Sequence, residues 1–374
     1  MKVFKPHIET SDGIVSITVN YELDQPFGAE LHNQLGFSFP ESYLSFVSET
    51  MEAYVLGLLF LAMKTKETMY VEGILSPQFL LYMTEYQKYF VFFSKGELAQ
   101  IDIIPTEIKE DKKETTKQTI ATFSGGVDSF YTLSKNKESK PTGIYERSIT
   151  HATFIKGFDF FLPQHEGNYE RIFPLYHKML QEEYQVDLIP VETNFRHVIE
   201  HFSVYPWEAV HGAALGMIGL LFSKGFDTYY IASSDGYDTL IDGWGSHPIP
   251  DTLMTTESFH VIHDALEASR YDKTVYLAHI SQTYDHLRVC WEKPDGVQNC
   301  GKCSKCVQVM MYLETEDQLN NYTTFPKELD LKLVENYHIS KNDPFFHRFA
   351  SDFATLSRQK GKVKLAQALE KALA

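Results

Sequence analysis

Two groups of residues in this chain have the types and spacing to do chemistry. The first is the run Ser124-Gly125-Gly126-Val127-Asp128-Ser129. Adjacent glycines let a backbone curl and approach a phosphate without Cβ clashes. The amides they expose, together with the positive end of a following helix, suit a pyrophosphate. Ser124 and Ser129 can donate hydroxyl hydrogen bonds, and Asp128 can hold a Mg²⁺ that bridges phosphate oxygens. The run has no Gly-Lys-Ser/Thr ending, so it is not a Walker A loop and implies no γ-phosphate chemistry. A Gly-rich strand-to-helix turn without a ligand is the plainer alternative.

The second group is Cys290, Cys300, Cys303 and Cys306, which are all four cysteines of the chain. Disulfides that staple a chain of this length would be spread along it. Four clustered thiols of a cytosolic protein read instead as a closed, tetrahedral, structural Zn²⁺ site with no open position for substrate. Gly301 allows the tight turn that aims successive sulfurs at one ion. An iron–sulfur cluster or free thiols would use the same residues, although nothing else points to redox chemistry.

These groups need elements to position them. Short apolar runs at Thr119–Phe123, His151–Ile155, Val186–Val191 and Thr228–Ala232 alternate with helical patterns at Asp128–Lys135, His165–Tyr184 and Trp207–Lys224. Strand, helix, strand, helix predicts βαβ units and a mostly parallel sheet covered on both faces. The phosphate loop then follows the first strand of that part and opens its first helix, where open α/β sheets bind ligands. Residues 1–106 are expected to form a separate α+β domain of unreadable role. Ile17, Val19, Tyr21 and Leu23 alternate with polar residues as in a half-buried strand. Met51–Lys64 reads as a buried helix, and Pro77–Phe90 as another with Ser76 as its N-cap. The charged run 107–118 (EIKEDKKETTKQ) reads as a solvated linker. The α/β domain with the cysteines is expected over 119–324, and a helical extension over 325–374.

Composition removes several function classes. The chain has 374 residues, 43% of them hydrophobic and 22% charged, which is ordinary for globular proteins. Its net charge of −16 argues against a broad nucleic-acid footprint. Its apolar runs fall short of the roughly 20 residues a membrane span needs. The start, MKVFKPHIET, carries no apolar signal region, so a cytoplasmic location is expected.

SGGVDS after a strand resembles the SGGxDS motif of the PP-loop, or N-type, ATP pyrophosphatases, whose fold is of the adenine nucleotide alpha hydrolase type. The combination of that loop with Cys-x9-Cys-Gly-x-Cys-x2-Cys near the end is most similar to the 7-cyano-7-deazaguanine synthase (QueC) proteins. The likeness covers roughly Thr119–Leu313. It implies cleavage of ATP between the α- and β-phosphates, with Mg²⁺, and adenylation of a carboxylate such as 7-carboxy-7-deazaguanine. Ammonia would then take the acyl group, giving an amide or nitrile. Relatives with the same active-site plan sit in anti-phage defence systems, where the acceptor is a protein N-terminal amine, and that ligase reading stands as the alternative. A non-catalytic nucleotide-binding interaction protein is the third. Residues 124–129 would bind the nucleotide, with Ser124, Asp128 and Ser129 catalytic and the four cysteines as zinc ligands. Lys156 joins the catalytic set because it lies just past the second strand, near where such folds hold nucleotide. Family members begin almost at their PP-loop, whereas this chain has a long N-terminal part. They also carry D-x-S-G-Y-P-D-C-R where this chain has Asp235-Gly236-Tyr237-Asp238 and no Cys-Arg. The oligomeric state is open, a homodimer being one arrangement.

The loop Ser233–Leu253 is too long and polar for a simple connection. It holds Asp235, Asp238, Asp242 and Asp251, so Asp235, Tyr237, Asp238, Trp244 and His247 are substrate candidates, with ordinary packing as the alternative for Trp244 and His247. Glu208 and His211 read as a buried polar contact or an acid/base pair. Arg288, Lys302 and Lys305 flank the cysteines, either as solvated surface or as cations for the leaving pyrophosphate.

Overall fold

The computed structural model describes all residues except 25–32, 138–147, 161–164, 166, 202–204, 241–242, 291, 293–294, 338–343 and 374. For 200–201 and 344–349 it describes the backbone alone. Asp242, one of the loop aspartates, therefore lies outside the described residues. No helix among those described is long and apolar enough to cross a membrane.

The strands are β1 (Lys2–Val3), β2 (His7–Ser11), β3 (Ile14–Glu22), β4 (Gln34–Pro40), β5 (Met69–Leu75), β6 (Ile103–Ile108), β7 (Thr119–Thr122), β8 (His151–Lys156), β9 (Asp187–Thr193), β10 (Thr228–Ala232) and β11 (His260–Asp264). They join one sheet in the order β11-β10-β7-β8-β9-β4-β3-β1-β5-β6, with β2 also on β3. β7 to β11 are all parallel, and β7 to β10 match the short apolar runs of the sequence. From β7 the chain moves through β8 to β9 on one side and returns to β10 on the other. The carboxyl end of β7 is thus a topological switch point, where such sheets leave a crevice.

Both faces of the parallel strands are covered, and alternate residues show it. Ile120, Tyr229 and Ile231 enter one core cluster, which includes the helices Glu52–Thr65 and Trp207–Leu221. Ala121, Phe154 and Tyr230 enter another, under the helices Val127–Lys137, Asn168–Met179 and Ser304–Thr315. The helix Glu52–Thr65 is buried from Glu52 to Met63, which explains why its sequence is apolar on all sides. It crosses Trp207–Leu221 so closely that a Cβ on Gly57 would lie 2.5 Å from Met217 Sδ. Ser76 caps the helix Pro77–Phe93 as expected, its hydroxyl accepting from Phe79 N.

Residues 1–106 share both sheet and core with the rest of the chain. β4 pairs antiparallel with β9 at Phe37–Thr193 and Ser38–Glu192. Beyond that short ladder the Asn194 carboxamide continues it, accepting from Gly36 N at 2.8 Å and donating to Gln34 O at 2.9 Å. The first core cluster runs without a break from Val3 and Val15 to Ile189 and Val261. The run 107–118 differs from the solvated linker its charge suggested. It is largely exposed, but Asp227 accepts from Thr116 N and Lys117 N at 3.0 and 2.7 Å, and Lys113 donates to the carbonyls of Ser223 and Phe226. Lys113 and the backbone of 116–117 thus fasten the run to the Asp227 turn, which makes it a strap.

One buried carboxylate in this frame has a measurable consequence. Glu52 is 2% exposed and accepts from Ser76 N at 2.8 Å, while its other oxygen has no partner. Burial pushes its carboxyl up from 4.5 to about 7. The folded chain therefore holds a proton that the unfolded chain has lost, so this contribution is full below about pH 4.5 and disappears as pH rises through 7. Wild type should lose roughly 3 kcal/mol over that window relative to Glu52→Gln. Urea denaturation of both proteins across the window checks it, and parallel curves would refute it.

Candidate active site and metal centre

The loop after β7 begins at Phe123 and turns at Gly125, whose φ of +76° favours glycine. A Cβ there would meet Tyr176 Oη at 1.8 Å, so the close approach of that ring also excludes a side chain. Tyr176 is held in turn by donating to His286 O at 3.1 Å. Gly125→Ala should cost about 1–3 kcal/mol from strain and overpacking and should distort the loop. Urea denaturation and nucleotide titration read both effects, and a variant like wild type in each would show that the turn is dispensable.

Ser129 is buried, its hydroxyl donating to Gly126 O at 3.1 Å and accepting from Ser124 N at 3.3 Å. It braces the loop from within. Ser124, Gly126, Val127 and Asp128 line a small cleft of about 90 Å³. The other walls come from distant parts of the chain. Asp159 follows β8, Arg270 opens the helix Arg270–Leu277 after β11, and Arg288, Val289 and Cys290 lead into the cysteines. Lys305, Gln308 and Val309 come from the helix Ser304–Thr315. The cleft therefore sets the cations Arg270, Arg288 and Lys305 against the carboxylates Asp128 and Asp159.

Individual contacts fix this arrangement. Arg270 Nη2 donates to Asp128 Oδ2 at 2.9 Å and to Ser234 O at 3.2 Å. The neighbouring Asp128 carboxylate raises the Arg270 pKa further. Asp128 Oδ1 is buried without a hydrogen bond, 3.8 Å from Lys273 Nζ. Lys273 is fully buried and donates to Ser233 O at 2.6 Å, and burial pulls its pKa down. Arg288 N donates to Gly125 O at 2.8 Å, and its guanidinium lies 4.7 Å over the Phe160 ring. Burial lowers the Lys305 ammonium and raises the Asp235 carboxyl, while Arg270 opposes the latter shift.

The donor atoms of Cys290, Cys300, Cys303 and Cys306 all lie within 4.8 Å of one another and can hold a metal ion such as zinc. The Cys300–Cys306 and Cys303–Cys290 sulfurs are 3.9 and 4.0 Å apart, near the roughly 3.8 Å edge of a tetrahedral zinc–thiolate site. Backbone amides of Cys300, Lys302 and Cys303 donate to the sulfurs at 3.3 to 3.4 Å, and Gly301 turns between them with φ +69°. Hydrogen bonds to the Cys290 and Cys303 sulfurs, then burial, drive the Cys306 pKa far up, so an added cation is what lets such a cluster ionise. Asn299 ties this knuckle to the cleft wall. Its buried carboxamide accepts from Val289 N and Cys290 N at 2.8 and 3.2 Å, and donates to Leu287 O and Thr324 O at 3.0 and 3.2 Å.

Other expected site residues lie elsewhere. Lys156 is outside the cleft, paired with Glu170 at 2.8 Å and Glu192 at 3.6 Å, because its strand carries it to the neighbouring groove. Tyr237 is 71% exposed and Asp238 is exposed, on the surface of their turn. His247 is buried, caps the short helix Pro248–Thr252 by accepting from Ile249 N, and packs on Tyr89. Trp244 packs edge-on against His211, whose Nδ1 lies 3.3 Å from Trp207 O. Only Asp235, of the five substrate candidates, shares the electrostatic surroundings of Asp128 and Arg270. Asp159, Arg270 and Lys273 escaped the sequence reading. Ser269 and Asp272 form a capping box that marks the start of the Arg270 helix, a legible signal. No family model, curated protein or solved structure matches the chain.

Proposed function

We propose that this chain is an ATP-dependent C–N ligase of the PP-loop type, forming AMP and pyrophosphate, with a structural zinc knuckle. The observation that carries the reading is the SGGVDS loop at the switch point, with a buried Asp128 oxygen that accepts no hydrogen bond beside a cleft walled by Arg270, Arg288 and Lys305. Asp128 is the residue that would hold Mg²⁺, which when bound would neutralise phosphate charge. A carboxylate oxygen of 7-carboxy-7-deazaguanine, or a similar deazapurine acid, attacks the α-phosphorus. The bond from that phosphorus to the β-bridging oxygen breaks, and pyrophosphate leaves toward the loop amides and the cleft cations. Ammonia then attacks the acyl carbon and AMP departs with the carboxylate oxygen, leaving an amide that a second ATP can dehydrate to a nitrile. The protein's part is positioning and charge stabilisation. Carboxylate-dependent exchange of labelled pyrophosphate into ATP tests the first step. No exchange with any deazapurine acid would count against it.

A second reading, transfer to a protein amine, is favoured by a groove of about 440 Å³ beside the cleft. Ser16, Thr18 and Ser38 of the N-terminal strands line it, as does Phe160, which also carries the Arg288 guanidinium. In this reading residues 1–106 form the acceptor-recognising part. Thr18→Arg with Ser38→Arg should then block transfer to a protein and spare transfer to ammonia. Equal loss of both would remove the groove from the account.

A further inference from the structure

We propose that Arg270 is a phosphate-binding residue held in reserve by Asp128, in competition with the divalent cation for that carboxylate. The inference rests on the ATP-cleaving reading above and adds how its cation and its phosphate depend on each other.

The pairing is incomplete on both sides. Arg270 uses one nitrogen, Nη2, to reach both Asp128 Oδ2 and Ser234 O, while its Nε is buried without a partner. A guanidinium that served only as a strut would present its fork to both carboxylate oxygens. Asp128 likewise keeps Oδ1 buried and without a hydrogen bond. Lys273 stands close to that oxygen at 3.8 Å, but its ammonium donates to Ser233 O. Each partner therefore retains capacity that the pair does not use, and Arg270 is itself a cleft wall.

The backbone at Arg270 is fixed, and among the described residues only the Asp128 and Ser234 contacts hold its guanidinium. Asp272 Oδ2 accepts from Ser269 N at 3.0 Å and Ser269 Oγ accepts from Asp272 N at 3.2 Å, so the helix start is locked by its capping box. A divalent cation arriving at Asp128 would face Arg270 at close range and repel it. An anionic pyrophosphate in the cleft would take the displaced guanidinium. Cation alone and pyrophosphate alone should both bind weakly, and each should strengthen the other.

The test uses full-length protein with its thiolate-bound ion retained and no chelator. Mn²⁺ binding is followed by electron paramagnetic resonance and metal-free pyrophosphate binding by calorimetry. Arg270→Gln should bind Mn²⁺ about tenfold more tightly and pyrophosphate about tenfold more weakly. Opposite signs are the signature, since damage to the fold would weaken both. Asp128→Asn frees Arg270 and should tighten metal-free pyrophosphate binding, and that gain should vanish in the double variant. Arg270→Gln affinities that both fall, or both stay put, overturn the proposal while leaving the ATP-cleaving reading in place. A wild-type protein that binds neither probe, even when Mn²⁺ and pyrophosphate are supplied together, overturns both.

Discussion

Replacing Cys303 with serine should lower stability and ATP affinity together. The metal ligands adjoin two of the pieces of chain that wall the cleft. Cys290 follows Arg288 and Val289 directly, and Cys303 sits at the start of the helix that carries Lys305 and Gln308. That helix is also a core element on two sides. Val309 and Met310 enter the core beneath the parallel sheet, while Val307, Met311 and Tyr312 pack against Phe353 and Leu365 of the C-terminal extension. Structural zinc sites in peptides contribute roughly 10 kcal/mol or more of binding free energy that becomes folding free energy. Losing one of four ligands should therefore cost at least about 3 kcal/mol and release the ion. Denaturant melts, elemental analysis and ATP calorimetry on the purified variant read the three effects. A variant that loses its metal yet keeps full stability and ATP affinity would show that the knuckle does not support the cleft.

Asp128→Asn is expected to abolish most ATP cleavage while leaving the fold intact. The residue lies in the first turn of the helix Val127–Lys137, and its carboxylate makes no backbone hydrogen bond that holds the loop. The bracing falls instead to Ser129, Gly125 and Tyr176. Losing the one loop carboxylate able to hold Mg²⁺ should reduce AMP formation by about 10²–10⁴-fold. Single-turnover assays of AMP, with a thermal melt of the same sample, separate chemistry from stability. Cleavage at the wild-type rate would mean that Asp128 serves only as the partner of Arg270.

The parallel sheet was legible because its strands are short apolar runs between turn signals, and β10 fell on Thr228–Ala232 as read. The phosphate loop and cysteines were legible because local spacing alone defines them. What escaped depends on long-range packing. β11, with its polar His260, His263 and Asp264, lacks a continuous apolar run, so the helix after it and Arg270 went unplaced. The join between β4 and β9 involves two residue pairs and one asparagine side chain, far too little to leave a pattern. Lys156 stands at a strand end, the position that suggests a nucleotide contact, yet Asp159 three residues later is the one that reaches the cleft. His247 offered an imidazole in a polar loop, and the structure uses it as a helix cap and ring contact.

The most direct measurement is mass spectrometry of the purified protein incubated with ATP, Mg²⁺ and 7-carboxy-7-deazaguanine, with and without ammonium. The account predicts AMP and pyrophosphate in step with consumption of the acid, and a product whose mass identifies it as adenylate, amide or nitrile. ATP left intact, or cut to ADP and phosphate, would contradict it.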